Sequence, residues 1–265
     1  MRICSKLRVL EASLKSWKEN MALDEALMIL SDLPVLRVYP SRFEGVIIGR
    51  FQQLEDEIYY KTCIEDEIEV VRRISGGGSV FKVPNGEINY SLILPLKDFP
   101  IFLDVKKAYM LILFRIKKAL ESMFDDVEIS IYPGSNDLVI NNQKISGNAQ
   151  ARKYNKVLVH GTVLISINKD RMFRYIKMPR EKYLARGFSH PEDFVTDLVT
   201  HSRRRYEVET ICDNFIKFFD RWLNLSIYYD SLTVEEKSLT CELVQSKYSN
   251  PEWLFNRRYE RRDLP

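Results

Sequence analysis

RRISGGGSVFKVPNGEINYSLILPL, residues 72–96, carries the two signals from which a fold can be built. Its second half alternates. Ile88, Tyr90, Leu92 and Leu94 fall on one side of an extended chain, which predicts a half-buried antiparallel strand over 87–96. Its first half places three glycines after two arginines. Gly76, Gly77 and Gly78 expose backbone N–H groups able to cradle phosphate oxygens, and Arg72 and Arg73 bring charge that pairs with phosphate or carboxylate. A loose surface loop would read the same way. No GxxxxGK[ST] is present and strand and turn follow the glycines, so a phosphate here would sit on a strand–loop–strand, not at a helix N-terminus.

Around this stretch, apolar periodicity predicts a helix over 17–30 (Ala22, Ala26 and Ile29 beside Leu23 and Leu27) and a second from the N-cap Asp104 to Met123. Short β-rich runs occupy 35–39, 45–49, 69–74, 126–132, 137–146 and 156–167, with turns expected at Asn141-Asn142 and Tyr154-Asn155. Beyond about residue 170 the chain reads as mainly helical, with an apolar stripe over 205–225 and a Thr233/Glu236 capping box opening 233–248. The ending NPEWLFNRRYERRDLP reads as a frayed, charged extension. Helices and antiparallel strands stand in separate blocks, so the class is α+β.

Composition narrows the function. Forty Lys+Arg against 37 Asp+Glu leave a net charge of +3, too little for one large nucleic-acid-binding face. Cys4, Cys63, Cys212 and Cys241 lie far apart with no CxxC pair, which excludes the common zinc modules and a disulfide framework. The N-terminus is interrupted by Arg8, Glu11 and Lys15, unlike a signal peptide, and no apolar run approaches the ~20 residues of a membrane span. The expectation is a soluble, cytoplasmic protein.

Two further constellations carry possible chemistry. Gly134-Ser135-Asn136-Asp137 precedes Asn142-Gln143-Lys144-Ile145-Ser146-Gly147. Asp137 offers a carboxylate to Mg²⁺, a hard cation that often accompanies ATP, and Lys144 lies where a strand meets a Ser-Gly turn. Taken singly, these are a turn and a solvated lysine. Val159-His160-Gly161-Thr162 puts a histidine inside a strand, where a satisfied wall residue is the commoner outcome. No GxSxG elbow or HExxH motif is present.

In order along the chain, these segments resemble the lipoate–protein ligase A family, within the wider group of biotin ligases and octanoyltransferases. The resemblance rests on Asn20–Glu25, Gly49–Gln52, Arg72–Phe81, Asn89–Ser91, Asn136–Val139, Lys144–Gln150, His160–Thr162, Phe188–Leu198 and Tyr248–Trp253, spanning about 17–256. It implies a biotin/lipoate ligase-like catalytic domain over 1–256, with largely antiparallel mixed sheets flanked by helices, and a charged tail over 257–265. It also implies activation of lipoate by ATP and Mg²⁺ to lipoyl-AMP, then transfer to a lysine of a lipoyl domain in a 2-oxoacid dehydrogenase E2 or glycine cleavage H protein. Lys144 would be catalytic. Arg72, Ser75, Gly76, Gly77, Gly78, Ser79, Val80, Asn136, Asp137, Ser146 and Gly147 would hold ATP or the adenylate with it. Arg72, Gly77, Lys144, His160, Gly161 and Thr162 would hold lipoate, and Asp137 would place the metal.

Two departures stand out. Lys82 and Val83 occupy the positions where the family commonly has a histidine and an acidic residue, and only twelve residues follow Trp253, so the accessory domain of larger members is expected as a separate small subunit. The rival is a lipoyl or octanoyl transferase drawing on an acyl carrier protein. Such an enzyme needs a thiolate near the lysine, and no cysteine lies between Cys63 and Cys212. A non-catalytic acyl-binding protein is the reading from a different class.

Overall fold

The computed structural model describes residues 5–11, 13–220 and 222–257. Strands β1 (Lys6–Leu10), β2 (Val35–Pro40), β6 (Glu87–Pro95), β7 (Ser130–Ile131), β8 (Asp137–Ile140), β9 (Gln143–Lys153), β10 (Lys156–Leu164) and β11 (Ser226–Tyr229) form one sheet in the order β11-β1-β2-β6-β10-β9-β8-β7. A smaller sheet, β4-β3-β5, joins β3 (Gly45–Ile48), β4 (Val70–Arg72) and β5 (Val80–Lys82). The pairs β11–β1, β1–β2 and β3–β4 are parallel and the others antiparallel, so both sheets are mixed.

Helices follow as α1 (Trp17–Leu30), α2 (Leu54–Glu57), α3 (Tyr60–Glu65), α4 (Val105–Glu121), α5 (Lys169–Tyr175), α6 (Arg180–Leu184), α7 (Leu198–His201), α8 (Val208–Lys217), α9 (Val234–Leu243) and α10 (Pro251–Asn256). The expected caps are in place: Asp104 accepts from the Lys106 and Lys107 amides, and Thr233 and Glu236 form a reciprocal capping box. Both hairpin turns form with positive φ at Asn141, Asn142, Tyr154 and Asn155, as right-twisted two-residue turns require.

β6 explains the layering. Ile88, Tyr90, Leu92 and Leu94 pack beneath α4 and α8 with Ile112, Ile116, Ile211 and Phe215. The expected half-buried strand is in fact buried along its whole length, because α1 and the small sheet cover its other side. That second side carries Glu87, Asn89, Ser91 and Ile93, so most of what it buries is polar.

Other boundaries shift for local reasons. The run expected as a strand over 126–132 pairs only at Ser130–Ile131, on the sheet edge. The apolar stripe over 205–225 yields α8 and then gives way to β11, which adds in parallel to β1. Residues 251–256 are a docked helix and not a frayed end, since Asn250 caps it and Trp253 is buried. The tail expected over 257–265 lies, apart from Arg257, outside the described residues. No helix among the described residues is long and apolar enough to cross a membrane.

Candidate active site

Strand register assembles the site. Tyr39, Asn89, Thr162, Gly147 and Asp137 fall opposite one another across β2, β6, β10, β9 and β8, and Arg37, Ser91, His160 and Ala149 form the adjacent row. In an antiparallel sheet, opposed residues share a face, so these rows form a polar floor under α1 and the small sheet.

Buried charge organises the second row. Arg37 pairs with Asp24 of α1 and donates to Asn20 Oδ1 at 2.8 Å. The other Asp24 oxygen accepts from Ser91 Oγ at 2.7 Å and lies 3.4 Å from His160 Nδ1. Burial works to raise the Asp24 pKa, but Arg37 and His160 outweigh it and the group stays a carboxylate. Burial depresses the His160 pKa, with Asp24 opposing and Arg73 and Lys82 assisting. The imidazole is therefore neutral near pH 7. With its Nδ1 proton toward Asp24, its Nε2 accepts from Ser75 Oγ at 2.5 Å, tying β10 to the glycine loop.

Lys144 rises from β9 with its ammonium 2.7 Å from Asp137 Oδ1, and Arg186 holds Asp137 Oδ2. Burial would lift the Asp137 pKa; Lys144 first and then Arg186 reverse this and hold it below the ordinary carboxylate range. Gly147 makes room: a Cβ there would stand 2.8 Å from Lys144 Nζ and 2.9 Å from its Cε. Asn136 and Asn148 exchange amide-to-carbonyl hydrogen bonds across the strands beside this pair.

The loop between β4 and β5 is shaped by Arg73. This buried guanidinium donates from Nη2 to Gly76 O at 2.6 Å and Gly78 O at 2.8 Å, and from Nε to Ser75 Oγ at 3.0 Å. In a trans peptide the N–H points opposite to the C=O, so the amides of Gly77 and Ser79 face away from Arg73. Gly77 takes φ +90°, and a Cβ there would lie 2.9 Å from Arg73 Nη2. The glycines meet a backbone need as well as a spatial one.

Arg72 requires a correction. It was expected to hold phosphate and lipoate, yet it lines neither cavity described below. Successive residues of a strand point to opposite faces, and Arg72 points outward from the cleft. There its guanidinium donates to the carbonyls of Gly49, Arg50, Gln52, Trp253 and Leu254. Its task is to clasp α10 and the Gly49–Gln52 turn.

Two cavities meet over Lys144. The inner one is lined by Met21, Ile47, Arg73, Lys82, Asn89, Ser91, Ala149, His160 and Gly161 among others, and encloses about 150 Å³. The outer one, about 360 Å³, is lined by Phe81, Tyr132, Met172, Met178, Pro179, Lys182, Arg186 and Phe194 among others. Gly78, Ser79, Val80, Asn136, Asp137, Lys144, Gly147 and Thr162 line both. Gly77, His160 and Gly161 thus lie with the inner cavity, while Ser75, Gly76 and the buried Ser146 line neither. Ser75 contributes through His160 and Arg73 instead.

Asp137 does not fit a magnesium ligand, because both its oxygens are engaged by cations. Among the described residues no group of three His, Cys, Asp or Glu side chains is placed to hold a metal. Sequence reasoning noted the charge of Arg73 but gave the binding role to Arg72, and it assigned no role to Arg186 or Asn148. Strand alternation puts Arg72 and Arg73 on opposite faces without marking which face meets the cleft; Arg186 comes from the turn after α6, with no pattern to mark it.

Cys63, Cys212 and Cys241 line neither cavity. Burial pushes the Cys63 thiol up to about 11 and the Cys212 thiol up to about 12, so neither is poised as a thiolate. Cys4 lies outside the described residues.

The family model for the lipoyl protein ligase A/B catalytic domain matches residues 16–220. The chain belongs to that family. An octanoyltransferase LipM of Carboxydothermus hydrogenoformans is 26% identical over 91% of this chain and 95% of its own length. A lipoate-protein ligase A subunit 1 of Thermoplasma acidophilum is 29% identical over 88% of this chain and 90% of its own. A solved bipartite lipoate protein ligase from Thermoplasma acidophilum, studied with its E2 lipoyl domain, superposes with a TM-score of 0.79 at 23% identity, covering 99% of this chain and 100% of that one. The fold is thus that of the lipoate ligases, and the chain is an enzyme-family member of the lipoate/octanoate group, whose relatives include both ligases and acyltransferases.

Proposed function

We propose that this chain is the catalytic component of an ATP-dependent lipoate–protein ligase. The observation that carries the reading is the position of Lys144, at the junction of two cavities and fixed by Asp137. An acyl acid would occupy the inner cavity and the nucleotide the outer one. The acid's carboxylate oxygen attacks the α-phosphorus, a P–O bond breaks, and pyrophosphate leaves, giving lipoyl-AMP. Two anions must approach for this, and the Lys144 ammonium between them stabilises the charge of the transition state. The amides of Gly77 and Ser79 add donors on the side away from Arg73. In the second stage a lysine amine of the acceptor attacks the acyl carbon, the amide forms and AMP leaves. AMP is a good leaving group, so no nucleophile of the chain is required.

The bipartite Thermoplasma ligase and its E2 lipoyl domain support an acceptor of that kind, and the name subunit 1 supports a separate accessory polypeptide. Such a cap would shield activation from water and withdraw for transfer. The reaction would take place in the cytoplasm.

One observation favours a second reading, octanoyl transfer from a carrier protein: the named activity of the Carboxydothermus relative. It would need a thiolate near Lys144, and the three described cysteines lie elsewhere. ATP–pyrophosphate exchange measured with lipoate and octanoate tests the choice. Acid-dependent exchange supports the ligase; transfer from an octanoylated carrier without ATP, through a trapped thioester, overturns it.

A further inference from the structure

The inner cavity has an unusual end. Val80 and Lys82 lie two apart on β5 and point the same way, into the cleft. The Lys82 side chain crosses from the small sheet to the floor of the large one, where its ammonium donates to Asn89 Oδ1 at 2.5 Å and to Thr162 Oγ1. It is buried and it lines the cavity. The Trp17 ring lies 5.5 Å from it. An ammonium carries three protons; Asn89 and Thr162 account for two.

Its distance from the reacting end follows from the register. Asp137, the partner of Lys144, is opposite Gly147, which is opposite Thr162, which is opposite Asn89. The Lys144 ammonium lies over Gly147, 2.8 Å from where a Cβ would stand there, so one to two strand spacings separate the two ammoniums, roughly 5–10 Å, within the reach of a medium-chain acid whose carboxyl sits at Lys144. The tail of such an acid ends at Lys82. A plain alkyl terminus there displaces water and gives the third ammonium proton no acceptor, whereas sulfur or oxygen at that end can take it.

We infer that Lys82 sets acyl specificity: the inner cavity takes a medium-chain acid bearing a hydrogen-bond acceptor near its far end, such as a dithiolane sulfur or terminal hydroxyl, over the alkyl acid of equal length. The inference rests on the proposed acyl site and names its preferred occupant.

Calorimetric titration of the full chain with lipoate, octanoate and ω-hydroxyoctanoate, with and without ATP, provides the test. Lipoate and the hydroxy acid should bind about tenfold tighter than octanoate, the weight of one charge-assisted hydrogen bond. Lys82→Met, close in volume but without a donor, should erase the preference; Lys82→Gln, an uncharged donor, should keep part of it. Equal binding of lipoate and octanoate by the unaltered chain overturns the inference whatever the variants do, as does a preference surviving in Lys82→Met. If no acid binds the unaltered chain under either condition, the acyl-site reading itself falls, an outcome distinct from equal binding.

Discussion

The Asp137 carboxylate holds the Lys144 ammonium at 2.7 Å while Arg186 binds its second oxygen. One anion thus serves two cations at the meeting point of the cavities. The local surplus of positive charge suits a site that must gather a carboxylate and a phosphate.

Replacing Lys144 should therefore cost chemistry more than stability, since its side chain is 27% exposed and Asp137 keeps Arg186 as a counter-charge. Lys144→Met is expected to reduce pyrophosphate exchange by about a hundredfold or more, with the fold retained and the unfolding midpoint lowered only modestly, because Arg186 still pairs with Asp137. Near-normal exchange in that variant would remove the lysine from its assigned role.

Gly147→Ala offers a subtler displacement. The added methyl would meet the flexible end of Lys144 and no other group within 4 Å. Folding should survive, and kcat should fall by about tenfold, because a misplaced catalytic charge loses much of its effect. A crystal structure with Lys144 unmoved, or unchanged kcat, would contradict this.

Asp137 links stability to pH. Its folded pKa lies below the ordinary aspartate value of 3.8, so the unfolded chain binds its proton first as pH falls. The stabilisation is complete above that value and disappears as pH drops through the folded pKa. Asp137→Asn should be destabilised by about 3 kcal/mol at neutral pH, through a buried Arg186 and a half-buried Lys144 left without their counter-charge, and should show a flatter acid limb in denaturant titrations. An acid limb superimposable on that of the unaltered chain would exclude this linkage.

The cysteines give a direct contrast with the transferase reading. Alanine at Cys63, Cys212 and Cys241 should leave acyl transfer from lipoyl-AMP within about twofold, with modest destabilisation at the two buried sites. Mass spectrometry after incubation with octanoyl-carrier protein should find no thioester on any of them.

Arg72→Ala should behave as a stability variant. Five carbonyls would lose their donor, at a cost of about 3 kcal/mol or more, and hydrogen exchange should show α10 losing protection first. A raised KM for ATP in a variant of unchanged stability would restore the phosphate-binding role that the geometry denies it.

Much of this was legible because local signals were strong. The alternation of β6, the Asp104 cap, the Thr233/Glu236 box and the Asn141-Asn142 turn each form as their residues dictate. β1 and β11 were missed because Lys6-Leu7-Arg8-Val9 and Ser226-Ile227-Tyr228-Tyr229 are short, and their pairing joins chain segments more than 200 residues apart. The lysine, the glycine loop and the histidine could be listed from sequence. Their wiring could not: Asp24 reaching Arg37, Ser91 and His160 depends on how α1 lies over the sheet. Choosing between adjacent arginines required knowing which face of β4 meets the cleft.

The clasp made by Arg72 ties the site to the order in which the chain is synthesised. Two of the arginine's acceptors, Trp253 and Leu254, are made 181 and 182 residues after it. A nascent chain therefore carries the glycine loop, through the 181 residues of synthesis that separate Arg72 from Trp253, on a strand whose buried guanidinium still lacks part of its shell. A nonsense mutation between codons 230 and 250 would leave every cavity-lining side chain encoded and still yield a loop without its anchor. Screens for loss of function should recover such late truncations as readily as changes at Lys144.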